Sequence, residues 1–361
     1  MYFNVDRFIL ARQRRRMTSK SLAEKADISP ATISRIDQKT NIPNIETVRK
    51  IAKALNYPAS FFMGDDIESI DSAAVSFRSL SKMTAKERAA ALGAGRYGIV
   101  LMDWIEERFA LPVPDVPSLG EEQSPEAAAD FLRQYWGIGL RPIQNIVALM
   151  ESKGIRFLSL SENTSAVDAF SLWRNETPYV FLNTFKTPER SIFDAAHELG
   201  HLVLHQHGGT ENRPDAEKEA NEFASAFLMP RQDISSRFPR IVNSDIIIKA
   251  KKRWVVSAFA LAYRAKTLNL ISDWQYKMIC IDLGKKGYRS GEPDGIERLQ
   301  SVVWKSALGT LWSEKITKQE IADQLALPLD EIEGLTHGLV TDRNEQRAYA
   351  PPKFSKPRSI K

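Results

Sequence analysis

The stretch DAAHELGHLVLH, residues 194–205, decides how this chain has to fold. Ile192, Phe193, Ala195, Ala196, Leu199, Leu202, Val203 and Leu204 make a helix that is apolar on nearly every side. From Ile192 to Leu204 the only formal charges are Asp194 and Glu198. Such a helix is buried, and burying His197, Glu198 and His201 without partners is costly. A shared metal ion removes the conflict. His197 and His201 are four residues apart, so both imidazoles leave one face toward a single ion. Glu198 projects beside them, placed to act as a general base toward water. Two other readings compete: core histidines satisfied by hydrogen bonds alone, and a metal site without catalysis.

A tetrahedral catalytic site takes a third protein ligand, and the helical run 215–229 offers Glu217, Glu219 and Glu222. Glu217 shares a face with Asn221, Ala224 and Leu228, which makes it the better ligand and Asn221 a partner to orient it. Glu219 points away from that face, and Glu219 and Glu222 read as solvated. His205 has turned about 80° from His197 around the helix. It is the alternative ligand, although a supporting or surface role suits it better. With His207, four of the five histidines fall within eleven residues.

Outward from this helix, the chain divides by charge and pattern. At 361 residues it suits two or three domains. One cysteine, Cys280, excludes an internal disulfide framework and a multi-cysteine metal site. No apolar stretch reaches membrane-spanning length and no signal peptide opens the chain, so a cytoplasmic location is expected. Residues 1–64 carry twelve Lys/Arg against five Asp/Glu, a balance of +7 within a total of +5, so the polyanion-binding signal belongs to this segment. Thr18 to Gln38 has the pattern of a helix-turn-helix. Thr18 caps a short helix bearing Leu22, Ala23 and Ala26, Asp27-Ile28 makes the turn, and Ser29-Pro30 restarts the chain. Ile33 and Ile36 face inward, leaving a small polar face for base edges. Arg12, Arg14 to Arg16 and Lys20 stand near enough to contact phosphates.

Thr84 and Glu87 predict a long helix over 84–109, followed by the proline-rich LPVPDVP at 111–117. Ser124-Pro125 opens a second unit, with helices at 125–136 and 141–153, a strand at 155–160, a hairpin from 166–173 and 179–183, and helices at 188–206 and 215–229. The remainder to 340 reads as helical. Within it, TKQEIADQLALPLDEI (317–332) repeats the spacing of the first helix-turn-helix, but Asp330, Glu331 and Glu333 on its second helix would repel phosphates. That unit reads as a packing or protein-contact element. Tyr263 and Arg264 read as core, with an approach to the metal cleft as the alternative. The expected divisions are 1–65, a helical linker 66–120, 121–285, a helical region 286–340, and a basic disordered tail 341–361.

LARQRRRMTSKSLAEKADISPATISRIDQKTNIPNIETVRKIAKALN (10–56) resembles Xre/Cro-type helix-turn-helix domains. That resemblance implies DNA contacts from Ser19, Ser29, Ala31, Thr32 and Arg35, binding to double-stranded operator DNA, and a homodimer. Residues 124–285 resemble the ImmA/IrrE family of metallo-endopeptidases through PERSIFDAAHELGHLVLH, EKEANEFASAFLMP and RWVVSAFALAYRAKTLNLIS. This second resemblance implies one Zn2+ per chain on His197, His201 and Glu217, with Glu198 as catalytic base. It also implies a substrate backbone lying along a strand beside the active-site helix, with Tyr179 to Asn183 the candidate. The expected fold is mainly α with a small β-sheet (α+β): an all-α DNA-binding head and a zincin-like metallopeptidase domain. The expected function is a transcriptional regulator whose zinc endopeptidase cleaves a specific regulatory protein, without membrane association. The alternative is a catalytically silent repressor or antitoxin whose metallopeptidase-like domain binds a partner toxin.

Overall fold

Local capping chemistry starts each helix of the head. In the computed structural model, which describes residues 3–71, 75–77, 83–120, 123–160, 169–205, 215–239, 241–289 and 291–340, Asn4 caps α1 (Val5–Arg14) and Thr18 caps α2 (Ser19–Ala26). Asp27, left-handed at φ 52°, ends α2, a conformation that Asp tolerates. Ser29 and Pro30 open α3 (Pro30–Asp37), and Asn44 opens α4 (Ile45–Leu55). The helix-turn-helix spacing is thus realised.

A short strand β1 (Ser76–Phe77) precedes α5 (Ala85–Glu106), which starts at the predicted Thr84–Glu87 capping box. Then follow α6 (Pro125–Tyr135), α7 (Ile146–Ser152), β2 (Arg156–Ser159), β3 (Ala169–Arg174), β4 (Thr177–Leu182), α8 (Pro188–Leu204) and α9 (Ala216–Leu228). The chain continues through α10 (Arg231–Arg237), α11 (Ser244–Trp254), α12 (Ala258–Thr267), α13 (Asp273–Lys285), α14 (Val302–Ser313), α15 (Lys318–Leu325) and α16 (Leu329–Thr336). The helix expected from 141 starts only at Ile146, because Asn145 supplies the cap by accepting from the Ala148 amide. The expected strand start at 166–168, His207 and the tail 341–361 lie outside the described residues.

The four strands form one sheet in the order β1-β3-β4-β2. β3 and β4 are the predicted antiparallel hairpin, closed by Asn175 and Glu176 at φ 46° and 65°, a two-residue turn whose twist matches the strands. The sheet is a wall with a core on each face. Phe170, Leu172, Tyr179 and Phe181 point into one, and Ala169, Val180 and Leu182 into the other. The first core is shared by α1–α5 and α14–α16, the second by α6–α13. α5 lies close on the sheet because it presents glycine there: a Cβ on Gly98 would come within 2.6 Å of Phe181.

The head is joined to this frame by polar contacts. The Tyr57 and Tyr97 hydroxyls meet at 3.0 Å inside the core, where burial raises both phenols. Arg14 Nε reaches Glu331 Oε2 at 2.8 Å, and Arg15 Nη1 reaches Asp330 Oδ2 at 2.6 Å and Glu331 Oε1 at 3.2 Å. The acidic helix of the second helix-turn-helix-like unit therefore holds two arginines that were expected to meet phosphates. Arg12 likewise pairs with Asp37 at 2.9 Å. Half-buried guanidinium groups next to fixed carboxylates are committed to them, because the pair is little screened there. Glu331 is 2% exposed and Asp330 47%, so their contributions differ. Glu331→Ala removes the buried carboxylate that faces Arg14 and Arg15 and lowers stability by about 3 kcal/mol, while Asp330→Ala costs less than about 1 kcal/mol. Urea unfolding of both variants measures this, and equal losses would contradict the assignment.

Candidate metal centre and nucleic-acid interface

Thr187 and Pro188 start α8, and the helix runs buried between the sheet and α9. On the sheet side, Trp173 Nε1 donates to the Leu202 carbonyl at 3.3 Å. On the other side the two helices meet at Gly200, where an added Cβ would lie 3.1 Å from Phe223 and 3.2 Å from the Ala220 Cα. That close approach brings the first turn of α9 up to the histidine face of α8.

His197 Nε2 and His201 Nε2 are 3.0 Å apart. Glu217 Oε2 is 3.4 Å from His197 Nε2, and Glu217 Oε1 is 3.3 Å from His201 Nε2. Two imidazole nitrogens and one carboxylate are a donor set suited to zinc, and a tetrahedral ion with bonds of about 2.0–2.1 Å places its ligand atoms about 3.3–3.4 Å apart. The three side chains thus form a group that could hold a metal ion. Burial by itself raises the Glu217 carboxyl, but the facing edges of His197 and His201 outweigh it and hold it at about 2. Asn221 donates to the Glu217 main-chain carbonyl at 2.6 Å rather than to its carboxylate.

The remaining members of the cluster fall behind these three. His205, buried at the end of α8, lies 2.9 Å from His201 Nδ1 through its own Nδ1, and 2.8 Å from Glu219 Oε2 through its Nε2. Glu219 is therefore not the solvated residue its spacing suggested. The start of α9 straddles the His201 ring, with Glu217 on the Nε2 side and Glu219 meeting His205 on the Nδ1 side. Glu222 is exposed beside Lys218, as expected. Glu198 is fully buried, and its Oε2 accepts from Ser171 Oγ of β3 at 2.7 Å. Periodicity within either element carries no trace of this strand-to-helix contact.

A cleft of about 940 Å³ leads away from Glu217 and Asn221, past Arg190 and Phe193 on α8, to Phe259, Tyr263 and Tyr276. Tyr263 and Arg264 both line it; Arg264 is largely buried there, bonded to Glu126 and to the Met229 carbonyl. Arg264 thus braces the cleft wall. The strand expected to take substrate, Tyr179 to Asn183, lies inside the sheet. β4 is hydrogen-bonded on both sides, by β3 and β2, so Tyr179 to Leu182 cannot accept another strand. The outer edge of β3 carries β1, with Ser76 opposite Ser171.

On the head, Ile33 and Ile36 are fully buried, and Ser29, Ala31 and Arg35 lie exposed on α3 with Thr32 half-buried between them. The Ser29 hydroxyl caps the helix, accepting from the Thr32 amide at 3.1 Å. Ser19 donates to Asp37 at 2.7 Å. Both serines thus already serve the fold, and Ala31, Thr32 and Arg35 form the open face.

No helix among the described residues is long and apolar enough to cross a membrane. Comparison with curated proteins finds no match. Residues 150–266, from the end of α7 through α12, match the family of the IrrE N-terminal-like domain, and residues 9–62 match the Helix-turn-helix family. The chain thus joins a DNA-binding type of helix-turn-helix domain to an IrrE N-terminal-like domain of metallopeptidase type, the fusion that its motifs implied.

Proposed function

We propose that this protein is a DNA-binding transcriptional regulator whose zinc-dependent endopeptidase site cleaves a specific regulatory protein. The observation that carries the reading is the convergence of His197 Nε2, His201 Nε2 and Glu217 at 3.0–3.4 Å, with Glu198 next on the same helix. His197, His201 and Glu217 are the residues to hold one zinc ion per chain. An ion bound there would supply Lewis-acid chemistry. Glu198, its Oε2 fixed by Ser171, removes a proton from the attacking water and delivers it to the departing amine. The cleft beside Glu217 mixes aromatic walls at Phe193, Phe259, Tyr263 and Tyr276 with charged groups at Arg190 and Glu126. Such a lining suits a polypeptide segment with both apolar and polar side chains.

The head gives this chemistry its address. Excess positive charge lies in residues 1–64, and the open face of α3 has the size and polarity to enter a major groove. A homodimer would read two half-sites. A general-purpose protease gains nothing from such a head, so the substrate is a regulator acting at the same operator.

Purified zinc-loaded chain incubated with candidate regulatory proteins, beginning with the products of the flanking genes, tests the assignment. Glu198→Gln lowers cleavage about a hundred- to ten-thousand-fold and leaves operator binding unchanged. A tight stoichiometric complex with an intact partner, the same for both proteins, would instead identify a silent, partner-binding site. For the head, Arg35→Ala weakens operator binding by about 1–3 kcal/mol, read by fluorescence anisotropy at several salt concentrations. Unaltered binding would remove α3 from the interface.

A further inference from the structure

Behind the metal-facing atoms, Glu219, His205 and His201 stand in a hydrogen-bonded line. Glu219 Oε2 is 2.8 Å from His205 Nε2, and His205 Nδ1 is 2.9 Å from His201 Nδ1. Two imidazole nitrogens at that distance need one donor and one acceptor. An ionised carboxylate only accepts, so Glu219 keeps the proton of His205 on Nε2. A neutral His205 then offers a bare Nδ1, and His201 has to donate from its own Nδ1. The neutral His201 ring is left with its lone pair on Nε2, the atom that faces His197 and Glu217 at 3.0 and 3.3 Å. The opposite tautomer would put a proton where a metal ion needs a lone pair.

We propose that Glu219 and His205 are positioning residues: through His205, Glu219 selects the His201 tautomer that presents Nε2 to the metal. The inference rests on the reading of this cluster as a metal centre. It also assigns His205 differently from a ligand, because its two nitrogens are turned to Glu219 and to His201. One short helical start thereby supplies two carboxylates with separate tasks. Glu217 meets the metal-facing edge of His201, and Glu219 acts on the far edge through one intervening ring. The Glu219 side chain is 31% exposed, so it can be altered without excavating the core.

The full-length chain, Glu219→Gln and Glu219→Leu provide the test. Gln keeps an oxygen that can accept from His205 Nε2, whereas Leu removes it. Zinc affinity is measured by competition with a chromophoric chelator, and the tautomers of the zinc-free chain by long-range 1H–15N correlation of the histidine rings. The expected results are a wild-type His201 protonated on Nδ1, a roughly 10–100-fold loss of zinc affinity in Glu219→Leu, and substantial recovery in Glu219→Gln. A Glu219→Leu chain with wild-type affinity overturns the inference while leaving the metal reading intact. So does a wild-type His201 protonated on Nε2, a result that needs no variant to fold. A wild-type chain that binds no zinc overturns the metal reading, and this inference with it.

Discussion

Four polar side chains on one helix, His197, Glu198, His201 and His205, have to be taken out of water, and the surrounding structure is built to meet that demand. An unpaired buried imidazole or carboxylate is expensive. Here each of the four has a named partner: Glu217 for the two facing histidines, Ser171 for Glu198, and Glu219 for His205. Those partners come from two elements, β3 and α9, which clasp α8 from different sides. The close contact at Gly200 and the strand-to-helix contact at Trp173 are therefore what set the cluster's dimensions. A larger residue at 200 would push α9 away, and with it both carboxylates.

The sheet ties this cluster to the DNA-binding head. β3 turns Ser171 toward Glu198 and its neighbours Phe170 and Leu172 toward the core that contains α5. α5 in turn carries Tyr97 to the Tyr57 hydroxyl of the head, and α16 grips Arg14 and Arg15 from the far end of the chain. Packed residues thus run without a break from α1 to the metal face. The head is seated on a frame that includes the C-terminal helices, rather than hung on a polar tether.

Much of this was legible from local chemistry. Thr18, Ser29-Pro30, Thr84 with Glu87, and Ser124-Pro125 all mark helix starts, because a cap acts over three residues and needs no knowledge of the fold. The His197–His201 face and Glu217 were legible because helical phase fixes which side chains share a side. Contacts made across elements were not. Ser171 lies 27 residues from Glu198, and nothing in an alternating strand says which residue meets a carboxylate. Glu219 was misread because phase describes one helix, whereas its partner His205 sits at the end of another. Arg14 and Arg15 looked like phosphate contacts because their acidic partners lie more than 300 residues away. Tyr179 to Asn183 seemed open to a substrate because pairing on both edges is a property of the sheet.

The proposed site requires three side chains to meet at one ion. Anomalous diffraction at the zinc edge from crystals of the zinc-loaded chain measures that directly. The predicted result is a single strong peak per chain, about 2.0–2.1 Å from His197 Nε2, His201 Nε2 and a Glu217 carboxylate oxygen, with His205 outside bonding distance. An empty cluster, or a peak bonded to His205 with Glu217 turned away, would contradict it.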